Sequence, residues 1–253
     1  MSSARPFLAA FLLLLAGCAS FPPETSMSDT DWGRASRMAV AAREGVAQGW
    51  QHQALPGKKT VEFVPVRQDG RSALAATAVS AASVMRHNVR IEPDQLASLR
   101  FSWKVPQLIA DADLATREAD DSPVRVILAF DGDRSRFTPR DAMLSELMRA
   151  VTGEEMPYAT LMYVWCNKRA PGTVIRSPRT DRIRKFVLES GPGRLNQWLD
   201  YERDIRADYV KAFGEEPGAL VGIALMTDSD NTRSTARAWY GPLNFTTIVA
   251  KAR

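Results

Sequence analysis

Thr60 to Val66 (TVEFVPV) alternates in side-chain character, Gln68-Asp69-Gly70-Arg71 follows as a turn, and Ser72 to Met85 continues as a long Ala/Val/Ser segment. Period-two alternation on either side of an Asp-Gly turn predicts a β-hairpin. The small residues of the second segment fit a helix equally well. Six further segments are strand candidates: Leu96 to Val105, Val124 to Asp131, Ala159 to Cys166, Arg182 to Glu189, Leu220 to Thr227 and Thr235 to Val249. Most are bounded by Gly, Pro, Asp or Asn, and seven or eight strands suit a sandwich.

Two helices interrupt the series. Pro139 to Val151 starts after Thr138 as N-cap, with Pro139 in the first helical position. Leu195 to Phe213 carries apolar Leu195, Trp198, Leu199, Ile205, Tyr209 and Phe213. Neither helix alternates regularly with strands, and no GxGxxG or GxxxxGK[ST] loop occurs, which argues against a doubly wound α/β sheet. The expected fold is mainly β: a single antiparallel β-sandwich, jelly-roll-like, with helical insertions, over residues 50–253.

The chain has 253 residues, 25% charged and 45% hydrophobic, enough for an ordinary core and neither disordered nor fibrous. Thirty-three Lys and Arg against 29 Asp and Glu give +4, too small and dispersed an excess for a nucleic-acid-binding stripe. Two cysteines, Cys18 and Cys166, and two histidines, His52 and His87, form no structural zinc site or disulfide framework. Cys166 has no recognisable base beside it and reads as a small buried hydrophobe. Neither GxSxG nor SxxK is present, so serine hydrolase chemistry has no motif.

At the amino terminus, Arg5 precedes an apolar run from Pro6 to Ala16, about half the ~20 residues a spanning helix needs. It reads as a signal peptide over residues 1–17. Leu15-Ala16-Gly17-Cys18 resembles the bacterial lipobox, which implies acylation of Cys18 after cleavage, and Ala19 in the next position implies the outer membrane, facing the periplasm. Several acyl chains anchor stably where one is marginal. Residues 18–49 then form a lipidated tether, rich in Ser, Thr, Pro and acids up to Asp31, and a short helix from Trp32 to Val46.

Several residues could carry binding chemistry. Asp120 and Asp121 sit in a turn ahead of Arg125, whose side chain alternates away from Val124 and Val126, and a guanidinium beside carboxylates suits a planar anionic or polyhydroxylated ligand or a structural ion pair. Asp131-Gly132-Asp133 is a turn too short for a calcium loop. Asp228 and Asp230, within Asp228-Ser229-Asp230-Asn231-Thr232, offer oxygens at intervals that suit calcium or an Asx-turn. Arg237 and Trp239 share one strand face, as a sugar-stacking platform or as packing, and Tyr163 and Trp165 pose the same alternative. Arg179, Arg182, Arg184 and Lys185 read as an exposed edge that resists sheet-to-sheet association, or as an anion site.

Taken in order, Phe101-Ser102-Trp103-Lys104-Val105, Asp120-Asp121-x-Pro123-x-Arg125, Tyr163-x-Trp165, Trp198 with Arg203, Asp208-Tyr209 and Phe213-Gly214, Asp228-x-Asp230-Asn231-Thr232, and Ala238-x-Tyr240-Gly241 with Phe245 resemble the DUF3047 family of exported or lipid-anchored bacterial proteins. The resemblance spans roughly Trp50 to Phe245 and implies one β-rich domain, without an established activity. Two positions depart from its pattern: Phe101 stands where tryptophan is expected, and Pro242 where an acid is expected. The functional expectation is a non-catalytic outer-membrane lipoprotein whose Arg125, Trp165, Arg237 and Trp239, with Asp120 and Asp121, meet a glycan. A polysaccharide lyase or hydrolase using Asp120 or Asp121 with Asp228 or Asp230, and an envelope scaffold for a protein partner, are the alternatives. Beyond possible calcium, no cofactor is expected.

Overall fold

The structure, a computed structural model, describes residues 26–36 and 49–247. Cys18 and the signal peptide lie outside these residues, as does the greater part of the expected helix from Trp32 to Val46, of which Asp31–Ala35 (α1) is described. After a short strand Trp50–Ala54 (β1), the hairpin forms as expected from Glu62–Gln68 (β2) and Arg71–Val79 (β3). Gln68 lies opposite Arg71, and Asp69 (φ 51°) and Gly70 (φ 77°) supply the two left-handed residues that a tight hairpin turn requires.

The segment after the turn is neither a helix nor one strand. Ser80 takes a positive φ of 47°, and the chain re-emerges as Ala82–Ile91 (β4) in the opposite sheet. Leu96–Lys104 (β5), Ser122–Phe130 (β6), Pro139–Thr152 (α2), Ala159–Cys166 (β7), Val174–Arg176 (β8) and Ile183–Ser190 (β9) follow. Thr138 caps α2 by accepting a hydrogen bond from the Asp141 amide at 3.1 Å. Leu195 to Phe213 departs from expectation: Leu199–Asp204 (β10) precedes a helix confined to Ile205–Phe213 (α3). Asp204 makes the switch, because its carboxylate accepts from the Ala207 amide at 2.9 Å.

Leu220–Asp228 (β11) is continuous, whereas the expected strand from Thr235 divides into Thr235–Tyr240 (β12) and Asn244–Thr247 (β13). The divide falls where Pro242 offers no N–H and Gly241 passes so close to Ser102 that a Cβ would meet its Oγ at 2.0 Å. Residues 248 and 249 lie outside the described part.

Two sheets result. One runs β1-β4-β11-β6-β7-β9-β8 and the other β10-β5-β12-β3-β2, with β13 also on β5. All named pairs are antiparallel except β7 with β9, which is parallel. The fold is therefore the expected mainly-β, jelly-roll-like sandwich with helical insertions, modified by one parallel pair. Leu99, Phe101, Trp103, Ala238 and Tyr240 from one sheet meet Val126, Leu128, Tyr163, Trp165 and Leu225 from the other in one buried cluster. Apolar area removed from water in this layer, at roughly 25 cal/mol per Å2, is the main favourable contribution to folding. Val164, Cys166 and Val187, on the outer side of the seven-stranded sheet, form a second cluster beneath Leu114.

Candidate functional site

Most of the acidic and basic residues singled out from the sequence do meet, but inside the protein. Arg125 projects from β6 away from the central core and is only 3% exposed. Its Nε donates to Asp228 Oδ1 at 3.1 Å, and its Nη2 lies 3.0 Å from Asp120 Oδ1 and 2.8 Å from the Asp120 carbonyl. Lys185, reaching in from β9, places Nζ 2.6 Å from Asp120 Oδ2 and 2.7 Å from the Leu114 carbonyl. Asp121 accepts from the Thr232 amide and hydroxyl at 2.7 and 2.6 Å, pinning the β11–β12 loop to the start of β6.

These contacts correct three expectations and bear out the reading of Cys166. Arg125, Asp120 and Asp121 are buried and engaged, so they present nothing to a ligand from solvent. Trp165 is 1% exposed in the central core, with its indole N–H on the Gly191 carbonyl at 3.0 Å, and it is packing rather than platform. Arg184 and Lys185 do not form an exposed edge, because β9 is flanked by β7 and β8. Cys166 is buried and free, as a small core residue would be.

Asp228 and Asp230, together with Asp121, bring carboxylate oxygens within 4.8 Å of one another. Among the described residues these three could hold a calcium ion. Each already has a partner: Lys58 on Asp230, Arg125 on Asp228, and the Thr232 hydroxyl with backbone amides on Asp121. The same engagement withholds the acid pairs from hydrolytic chemistry, which needs two carboxyls facing substrate across a cleft.

Burial decides the titration of two members of this network, whereas at Asp120 burial is outweighed by Arg125 and Lys185, which together hold the carboxyl below its ordinary value. Burial pushes the Asp228 carboxyl up to about 6 despite Arg125, and the Lys185 ammonium down to about 8 despite Asp120. Between about pH 4 and 6 the folded state binds more protons at Asp228 than the unfolded chain, so stability falls as pH rises through that window. Between about 8 and 10.5 the folded state binds fewer at Lys185, so stability rises with pH there. Urea unfolding of the wild type is expected to show that rise from pH 8 to 9, below the range in which the buried tyrosines, whose hydroxyls burial holds above their ordinary pKa, lower stability with pH, and Lys185→Met is expected to abolish it. An equal slope in the variant would contradict the assignment.

Arg237 and Trp239 lie elsewhere, on the outer face of the six-stranded sheet. Register sets that face: β12 pairs with β5 so that Trp239 is opposite Lys104, and β10 pairs with β5 so that Leu199 is opposite Trp103 and Asp200 opposite Ser102. Trp198, just before β10, therefore flanks Lys104 on the side away from Trp239. Two strand spacings put the tryptophan backbones about 10 Å apart. Both indoles are half-buried and overlain by cations: Arg71 lies 5.3 Å from the Trp198 ring, Arg237 5.2 Å and Lys104 5.8 Å from that of Trp239.

Beside this row is a groove of about 680 Å3 lined by Arg71, Arg100, Ser102, Asp200, Glu202 and Pro242, among others. Its charges are paired across strands: Arg71 with Asp200 at 2.8 Å and Arg100 with Glu202 at 3.0 Å. Phe101 and Pro242, the two departures from the family pattern, both border it. A half-buried ring offers an apolar face, and the surrounding guanidinium and carboxylate groups offer directional hydrogen bonds. Together these recognise a flat polyhydroxylated molecule. Trp198, Lys104 and Arg71 were not singled out as site residues; the alternation of Phe101-Ser102-Trp103-Lys104-Val105 was the available signal for Lys104.

Fold and surface thus define a two-sheet β-sandwich with an exposed, tryptophan-bearing polar face. The chain belongs to DUF3047, a family described as a protein of unknown function, whose model matches residues 48–244. No curated protein matches it. Among solved structures it is similar to the family 11 carbohydrate-binding module of Lic26A-Cel5E from Clostridium thermocellum, at 11% identity and TM-score 0.36, covering 85% of this chain and 100% of that one. It is also similar to the xyloglucanase domain of NopAA from Sinorhizobium fredii in complex with cellobiose, at 10% identity and TM-score 0.40, covering 82% and 96%. The endoglucanase cel12A from Rhodothermus marinus is similar at 9% identity and TM-score 0.40, covering 79% and 96%. Likeness at this level carries no functional argument.

Proposed function

We propose that this protein is a lipid-anchored, non-catalytic binding domain that holds a glycan on the outer face of its six-stranded sheet. The observation that carries the reading is the row Trp198, Lys104, Trp239 beside the groove, in which two indoles alternate with hydrogen-bonding and charged side chains. Sugar rings stack on the indoles, and Arg71, Arg100 and Arg237 with Asp200 and Glu202 supply the donors and acceptors that fix orientation. The engagement of Asp120, Asp121, Asp228 and Asp230 inside the fold supports a reading in which these acids serve the structure and not turnover. The resemblance of Leu15-Ala16-Gly17-Cys18 to a lipobox, followed by Ala19, supports an outer-membrane location facing the periplasm. Among the described residues no helix is long and apolar enough to cross a membrane. In this reading several acyl chains on Cys18 supply the attachment.

The test is a thermal-shift screen of the mature lipoprotein against cell-envelope and capsular glycans, each with calcium and with chelator. A ligand selective for the folded state raises apparent stability, by about 2.7 kcal/mol at one hundred times Kd. The expected result is a saturable shift with at least one glycan, independent of calcium, because the Asp121, Asp228 and Asp230 carboxylates already have partners. No shift with any glycan would contradict the proposal and favour a protein partner. A shift that requires calcium would return the Asp228 to Thr232 loop to the site.

A further inference from the structure

Helix α2 is mounted with its polar residues inward. Asp141 and Ser145 are buried, and Asp141 is held by the Thr138 hydroxyl at 2.8 Å and by Thr180, while Met143, Leu147, Met148 and Val151 are 65%, 59%, 44% and 58% exposed. Met143, Leu147 and Val151 recur every fourth residue and form one stripe. A surface helix ordinarily buries such a stripe against the core. This one turns it outward.

We infer that the stripe is the surface on which the domain rests on the bilayer that anchors Cys18. The inference rests on the proposed lipidation. Eight Cα-to-Cα steps separate Cys18 from Ser26, the first residue of the described part, and they reach at most about 29 Å when fully extended. That is less than the roughly 40 Å breadth of a domain of this size, so the flank nearest Ser26 is held against the membrane. Ser28 accepts a hydrogen bond from the Trp50 amide at 2.9 Å, which places the incoming chain at the start of β1. Strand β1 borders β4, where Arg86 binds Glu154, two residues past the end of α2, at 2.6 Å and Gln53 of β1 at 3.1 Å. The C-terminal end of α2 and the incoming tether therefore share one flank.

A second copy fits less well. The apolar stripe covers little more than two turns of one helix, well short of the roughly 1,200 Å2 of buried surface at the lower end of stable interfaces. A bilayer needs no such area from the helix, because the acyl chains already supply attachment and the stripe only sets orientation. Arg140 and Arg149, both exposed, have long apolar stems that can lie along the interface with their charges in the headgroups.

The experiment labels Leu147→Cys, and separately Thr235→Cys on the opposite sheet's outer face, with an environment-sensitive fluorophore in the mature lipoprotein. Cys166 is buried and Cys18 is acylated, so the new thiol takes the label. In vesicles of phosphatidylethanolamine and phosphatidylglycerol, the label at 147 is expected to shift to the blue and to be quenched by spin-labelled lipid. The label at 235 is expected to do neither. If the protein floats with vesicles and the 147 label is quenched only by aqueous iodide, the orientation is wrong and the anchor stands. If it does not float, the anchor reading fails and takes this inference with it. Shielding of 147 in lipid-free, unacylated Cys18→Ser protein would assign the stripe to a second copy or to another part of the chain, and would overturn the inference.

Discussion

Arg125→Ala is expected to destabilise the domain by about 3–5 kcal/mol, because it leaves the Asp228 carboxylate buried without its cation. Asp228 is 4% exposed, and its other partner here is the Ser122 amide at 2.8 Å. Asp120 loses one cation and keeps Lys185 at 2.6 Å, so most of the cost falls on Asp228. Removing both charges in Arg125→Ala with Asp228→Ala is expected to cost less than the sum of the two single changes, because the double variant buries no orphaned charge. Urea unfolding at pH 7 reads all three proteins. A cost below about 1 kcal/mol for Arg125→Ala would mean that the network is hydrated and that the guanidinium is not the keystone between β6 and β11.

This network also marks where sequence reading stops. Arg125 is correctly placed off the core face by alternation, yet alternation cannot say that Leu114 and Lys185, from the preceding loop and from β9, close over that face. A second buried layer on one sheet makes charged residues of a strand look solvent-facing. The hairpin at Asp69-Gly70, strand β7 and the start of α2 were legible because turn chemistry, alternation and the N-cap are local. The division of Ser72 to Met85 between two sheets was not, since small residues tolerate both strand and helix and the break at Ser80 has no glycine to announce it. Leu195 to Phe213 misled for the opposite reason: its apolar residues fit a helix throughout, but the first part pairs with β5 and only Asp204 starts the helix. Of the surface site, Arg237 and Trp239 were legible as a shared strand face. Their neighbours Lys104 and Trp198 come from the pairing of β10, β5 and β12, which no single segment encodes.

Trp239→Ala is expected to weaken glycan binding by about thirtyfold, the cost of about 2 kcal/mol typical of truncating an aromatic anchor. Because Trp239 stands half-buried on the outer face, the sandwich keeps its core and the unfolding midpoint is expected to change little. Trp198→Ala is expected to act in the same direction, since it borders the same row. Neither variant removes a charged side chain, and Arg71 keeps its pair with Asp200, so the loss is of stacking and not of charge.

The most direct test is a calorimetric titration of the mature lipoprotein and of the Trp198→Ala, Trp239→Ala double variant with the glycan that gives the largest thermal shift. Saturable binding by the wild type, lost in a double variant that still unfolds cooperatively, is the predicted result. Equal affinity in the two proteins would contradict the account, because the tryptophan-bearing face would then not be where the glycan is held.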